Sequence, residues 1–263
     1  MRSFVSLMGA DPSQDHLHTF ETSWLFSPFV LGCIRAVLSL YSFVTTFFIV
    51  GWRATHDQNV HNAVDLFVYF TNLSYWGLAF YFLVSAIHSF LYARTGRSVF
   101  FEKTPRFLRA LHSLFYSSIV ILPIIVTVLY WALLFNGTWF PKVSKHAMQA
   151  GFALFELIIP ATQPLPLLHL PFLWVILLLY LGLAYLNHSV NGFFTYDFLD
   201  PGVHGEHRGR VTAYSFGVLV GSAVLFGVAW FIIWFRNRLN GNKRILASRP
   251  ASADEEMAVS HEK

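Results

Sequence analysis

Thr71, Asn72 and Ser74 stand almost side by side in the stretch Val68-Tyr69-Phe70-Thr71-Asn72-Leu73-Ser74-Tyr75-Trp76, where the tyrosines add further hydroxyls. Asp65 lies just ahead of them, and the surrounding run, 63–93, is otherwise apolar and long enough to cross a bilayer. Hydrocarbon offers no hydrogen bonds, so these groups need partners on other helices or in a wet cavity. The stretch therefore faces a bundle interior. Thr71 falls about eight residues below the outer end of its span, roughly 12 Å at the helical rise. Its hydroxyl can bond the carbonyl of Phe67 one turn back. Alternatively it is a nucleophile, which requires a base within hydrogen-bond reach.

His146 is the candidate base, because imidazole titrates near neutrality and the residue opens a later span on the same side of the membrane. Its plain alternative is an interfacial histidine among headgroups. Glu156 follows, about 15 Å deeper, and Arg35 sits near mid-depth in the first span. Either charge alone would cost a few kcal/mol on insertion scales. Two opposite charges at similar depth predict a buried pair, structural or catalytic; the alternative is an Arg35 that snorkels inward and a protonated Glu156. His204-Gly205-Glu206-His207 could form half of a metal site, but the spacing is no zinc signature and Arg208 and Arg210 adjoin it. We expect no metal and no cofactor. His88, His112 and His169 read as interfacial residues near the cytoplasmic ends of spans.

These residues must be positioned by membrane helices. The chain is 55% hydrophobic and 12% charged, about half the charge of a soluble domain. The expected fold is all-α, a bundle of six transmembrane helices near 28–51, 63–92, 108–135, 146–162, 171–187 and 211–235. Residues 1–27 form a polar N-terminal segment with no cleavable signal, 28–236 the membrane domain, and 237–263 a basic and then disordered tail. Pro123 and Pro160 should kink or end their spans, and Gln163-Pro164-Leu165-Pro166 reads as a tight turn. Arginines and lysines concentrate between the second and third spans and after the sixth, which puts both termini in the cytoplasm. The basic residues lie at helix ends, where lipid headgroups account for them, so nucleic acid is not an expected partner. Cys33 is the one cysteine, which excludes an internal disulfide and a zinc-thiolate site. Asn136-Gly137-Thr138 is a glycosylation sequon that hugs the outer surface. Ala213, Gly217 and Gly221 form a small-residue stripe, for packing within the bundle or for a homodimer through Gly217 and Gly221.

Phe70-Thr71 and His146, with Phe152 and Glu156 six and ten residues after the histidine, resemble the motifs of the androgen-induced gene one family of multi-pass membrane proteins, which includes the androgen-dependent regulator of tissue factor pathway inhibitor. Tyr69-Phe70-Thr71-Asn72 is also similar to the rolling-stone-like proteins, which are linked to cell fusion. The resemblance covers about 29–236 and has the look of a fungal branch. It implies a metal-independent threonine hydrolase that cleaves fatty acid esters of hydroxy fatty acids, with Thr71 as nucleophile and His146 as its partner. The chain departs from the mammalian pattern at Val143, where those members have a histidine, and at Asn72, where they have an apolar residue. The expectation is an intramembrane hydrolase of lipid esters in an endomembrane or the plasma membrane, with Asn72 or Ser74 helping to bind the oxyanion. The rival is a non-enzymatic scaffold or lipid binder whose polar groups only hold helices together.

Overall fold

The computed structural model describes residues 3–56, 65–98, 102–134 and 142–247. Its helices are α1 (Phe4–Leu7), α2 (Pro28–His56), α3 (Phe70–Thr95), α4 (Arg106–Leu129), α5 (Lys142–Ile158), α6 (His169–Asn191) and α7 (Arg208–Leu239). Short 3-10 turns cover Pro12–Leu17, Asp65–Val68 and Asp197–Leu199, and a π-turn at Tyr130–Leu134 continues α4. Five of these helices, α2, α3, α4, α6 and α7, are long and apolar enough to cross a membrane. Their outward faces carry exposed Val37, Phe47, Leu179, Val190, Phe216 and Val220, the side chains a lipid environment accepts. The fold is that of a multi-pass helical membrane protein. The sequon at Asn136 and the tail from residue 250 lie outside the described residues.

Local chemistry sets the helix ends. Pro28 occupies the first turn of α2, and the Ser27 hydroxyl accepts from the Val30 N–H at 3.4 Å. Gly96 closes α3 in the left-handed region at φ 65°, its N–H bonding the Tyr92 carbonyl at 2.8 Å. Pro160 ends α5 as expected, whereas α4 runs through Pro123 without stopping. The expected tight turn at 163–166 is instead part of an extended strap between α5 and α6, with Ala161, Thr162 and Leu165 buried.

The second span also differs from its expected form. The 3-10 turn Asp65–Val68 and an extended Tyr69 precede it, and the helix proper begins at Phe70. Thr71 is therefore in the first turn of α3 and not about two turns down it. Apolar composition runs straight through this break, so hydropathy alone merged the two pieces.

The polar N-terminal segment is built into one end of the bundle. The Thr22 carbonyl accepts from the Ala161 N–H at 2.8 Å, and the Ser23 carbonyl accepts from the Ile245 N–H at 2.9 Å. Arg244 donates to the Leu17 carbonyl at 2.6 Å, and burial lowers its guanidinium pKa. The N-terminal segment and the residues after α7 thus meet at the same end. His88 and His169 are about 1% and 0% exposed, so they are core residues and not interfacial ones. His112 stacks on His88, with ring centroids 5.1 Å apart. His169 lies 2.7 Å from the Ser117 hydroxyl and 3.2 Å from the Met8 carbonyl. A folded-back N-terminal segment covers what a bare bundle end would have left wet.

Gly217 and Gly221 do not draw a neighbouring helix close: a Cβ built on either meets nothing within 4 Å. The stripe instead lines a groove between α7 and the C-terminal part of α4, with Val128 and Leu129 on the facing wall. The intimate pairing is α2 against α3, where Phe90 packs on Gly32 and Ser39 donates to the Ala79 carbonyl at 2.9 Å.

Candidate functional site

Arg35 and Glu156 meet in the bundle interior as a two-pronged pair, at 2.7 Å and 2.9 Å, and both side chains are 0% exposed. Arg35 also donates to the Phe20 carbonyl at 2.6 Å and the Ser89 hydroxyl at 2.8 Å. Tyr81 reaches the Glu156 carboxylate at 3.4 Å, and Tyr116 reaches the Glu156 carbonyl at 3.2 Å. The pair joins α2 to α5, and its other ligands bring in α3, α4 and the N-terminal segment. Buried charges with this many partners hold helices in register. No cavity residue of the Thr71 site belongs to this cluster.

Thr71 lines a partly open cavity of about 90 Å³ between α3, the C-terminal part of α4, α6, α7 and residues 196–199. Among the described residues the wall is apolar apart from the hydroxyls of Thr71, Tyr130, Tyr180, Tyr196 and Ser215, and none of their side chains is charged. The partner of the Thr71 hydroxyl is Tyr196 Oη at 3.4 Å, not the Phe67 carbonyl. The first turn of α3 has no intrahelical acceptor for its N–H groups, so the Phe70 N–H bonds Tyr180 Oη at 3.2 Å. Tyr180 in turn donates to the Val68 carbonyl at 3.1 Å. Burial pushes the Tyr196 phenol above its ordinary pKa, against the opposing pull of its hydrogen bond with Thr71. It stays protonated at neutral pH, and either hydroxyl of the pair can donate to the other.

His146 lies in the second turn of α5, which begins at Lys142, and is not among the cavity residues. Its ring lies flat on Tyr130, with centroids 3.6 Å apart and planes at 2°. Tyr130 is a wall residue, so one aromatic ring separates the imidazole from the cavity. The His146 carbonyl accepts from the Thr127 hydroxyl at 2.5 Å. The residue of α5 that touches the start of α3 is Gln149, one turn on. Its amide donates to the Thr71 carbonyl at 3.1 Å and accepts from the Ser74 hydroxyl at 2.7 Å. Asn72 donates to the Leu66 carbonyl at 2.6 Å. Asn72 and Ser74 thus serve the backbone around the α3 start and do not line the Thr71 cavity.

In the loop between α6 and α7, the Glu206 carboxylate accepts from the His204 N–H at 2.9 Å. Backbone N–H groups of Glu206 itself and of His204 hold it below the usual carboxylate pKa. Among the described residues no group of three His, Cys, Asp or Glu is arranged to hold a metal ion.

Tyr130, Tyr196 and Gln149 are the residues that sequence reasoning missed. Tyr130 looks like one more aromatic at a membrane interface, and Tyr196 sits in a loop rich in aromatics. Gln149 carried a usable signal: an uncharged polar side chain one turn from His146 within an apolar helix.

Fold and cavity define a multi-pass helical membrane protein with a largely apolar pocket among its described residues. No protein-family model, curated protein or solved structure matches the chain.

Proposed function

We propose that this chain is an intramembrane hydrolase of lipid esters of the androgen-induced gene one type, with Thr71 as its nucleophile. The observation that carries this is the place of Thr71: a hydroxyl in the wall of an uncharged, apolar cavity, beside the phenol of Tyr196. An apolar chamber suits a substrate dissolved in the bilayer. In the reaction, Thr71 Oγ bonds the ester carbonyl carbon and the bond to the alcohol oxygen breaks. The alcohol leaves with the proton removed from Thr71, and water then releases the acid and restores the hydroxyl. Tyr196 joins the site because it is the group that holds the Thr71 hydroxyl. His146 acts as the base of this scheme by the family resemblance, its ring stacked against Tyr130 of the cavity wall.

Six spans with both termini in the cytoplasm complete the reading. What supports this is the meeting of Ser23 with Ile245 and of Leu17 with Arg244 at one end of the bundle. An even number of crossings returns the chain to its starting side. Five long helices therefore need α5 and the strap after it as a sixth. Membrane lipids or their esters are the partners, in an endomembrane or the plasma membrane. A homodimer through Gly217 and Gly221 is part of the same reading, on the strength of the small-residue stripe alone.

A second reading has its own observation. Asn72, Ser74 and Gln149 are engaged with the α3 start, as in a scaffold or lipid binder whose polar groups only join helices. One experiment separates the two. Membranes carrying the wild-type chain should label with a fluorophosphonate probe and hydrolyse a fatty acid–hydroxy fatty acid ester. Thr71→Ala should lower both by about 10³-fold or more. Equal hydrolysis by the two would leave the scaffold reading standing.

A further inference from the structure

The cavity wall holds a polar group with no stated use. Tyr130 is about 5% exposed, and its hydroxyl has no hydrogen-bond partner among the described residues. The neighbouring phenols are engaged: Tyr180 with the Val68 carbonyl and the Phe70 N–H, and Tyr196 with Thr71. An orphaned hydroxyl in an apolar wall is costly, and native structures keep few of them. The backbone adds a separate sign. Tyr130 opens a π-turn, Tyr130–Leu134, and such turns recur at functional sites. The His146 ring covers one face of the tyrosine and restrains its rotation.

We propose that Tyr130 is the carbonyl-binding residue of this cavity, its hydroxyl donating a hydrogen bond to the carbonyl oxygen of a neutral acyl lipid. The inference rests on reading the cavity as a lipid site. The ligand class follows from the wall. A phenol donates to a carbonyl without requiring a charge. A fatty acid anion would meet no cationic side chain among the described wall residues, and burying an unpaired carboxylate is strongly unfavourable. Esters and ketones satisfy the hydroxyl, and plain hydrocarbon fills the space but leaves it orphaned. Tyr130 thereby sets which atom of a long chain stops in the chamber that Thr71 shares.

The test uses ligands that cannot be hydrolysed, so that it reads binding apart from catalysis. The purified full chain in detergent is titrated with a long-chain dialkyl ketone and with the hydrocarbon in which a methylene replaces the carbonyl. Wild type should bind the ketone about tenfold more tightly. Tyr130→Phe should abolish that preference and leave hydrocarbon binding unchanged, which also reports that the variant is folded. A preference that survives in Tyr130→Phe, or that is lost in Ser215→Ala instead, would overturn the proposal. So would equal binding of the two ligands by wild type. Should Tyr130→Phe fail to fold, infrared spectra of a carbon-13 ketone bound to wild type decide the matter. A carbonyl stretch shifted down from its value in hydrocarbon solvent supports the hydrogen bond, and an unshifted one overturns it. Binding of neither ligand by wild type would remove the lipid site altogether. Loss of the threonine chemistry alone would show only in the Thr71→Ala hydrolysis assay.

Discussion

Arg35 and Glu156 face each other across the bundle with two parallel hydrogen bonds, Nε to Oε1 at 2.7 Å and the terminal nitrogen to Oε2 at 2.9 Å, wholly out of contact with solvent. Removing one partner leaves the other charge buried and unpaired. Arg35→Met or Glu156→Leu should each cost about 3–5 kcal/mol, and the double variant clearly less than the sum. Unfolding in mixed micelles measures this. Additive losses would show that the two charges are not coupled.

Thr71 and Tyr196 are joined by a long hydrogen bond of 3.4 Å. Such a contact contributes less than about 1 kcal/mol. Thr71→Ala should therefore fold almost as stably as wild type while losing labelling and hydrolysis. Thr71→Ser restores the hydroxyl and should recover part of the activity. A Thr71→Ala chain that is inactive because it is unfolded would contradict this.

His146 covers the Tyr130 ring at 3.6 Å. His146→Ala should lose the stacking contribution, about 0.5–1.5 kcal/mol. His146→Phe keeps an aromatic ring and removes the base. Retained stability with lost hydrolysis would identify a base. Retained stability with full hydrolysis would leave His146 as a support for Tyr130, and another proton acceptor for Thr71 would have to be found.

Arg97 and His204 are exposed in loops expected on opposite sides of the membrane. In a Cys33→Ala background, Arg97→Cys should react with an impermeant maleimide from the cytoplasmic side and His204→Cys from the other. Reaction of both from one side would refute the six-span arrangement.

Glu206 has its carboxylate pKa lowered by the N–H groups it accepts from. The sign follows: its contribution to the loop is present above the ordinary carboxylate range, about 4.3, and is lost as pH falls through the lowered folded-state value. Hydrogen exchange at the His204 amide should accelerate over that acid window relative to its intrinsic rate. Glu206→Gln should show no such step.

What the sequence determined by itself is what depth and composition determine. Apolar run length makes this a membrane protein, and the order and approximate places of its long helices follow from it. The Arg35–Glu156 pair was legible because two opposite charges at equal depth have no cheaper place to go than each other. Around the circumference of a bundle no such rule operates. Depth alone left Thr71 opposite His146, whereas the fold sets Tyr196 against its hydroxyl and Gln149 against its carbonyl. Those neighbours depend on how α3, α5 and the loop after α6 rotate and tilt, which is decided by packing over the whole interface. The start of α3 at Phe70 is likewise a tertiary outcome, since Tyr180 supplies the acceptor its first N–H lacks. The burial of His169 is completed by the N-terminal segment folding back, where the Met8 carbonyl meets its ring, a contact that the polarity of residues 1–27 did not foretell.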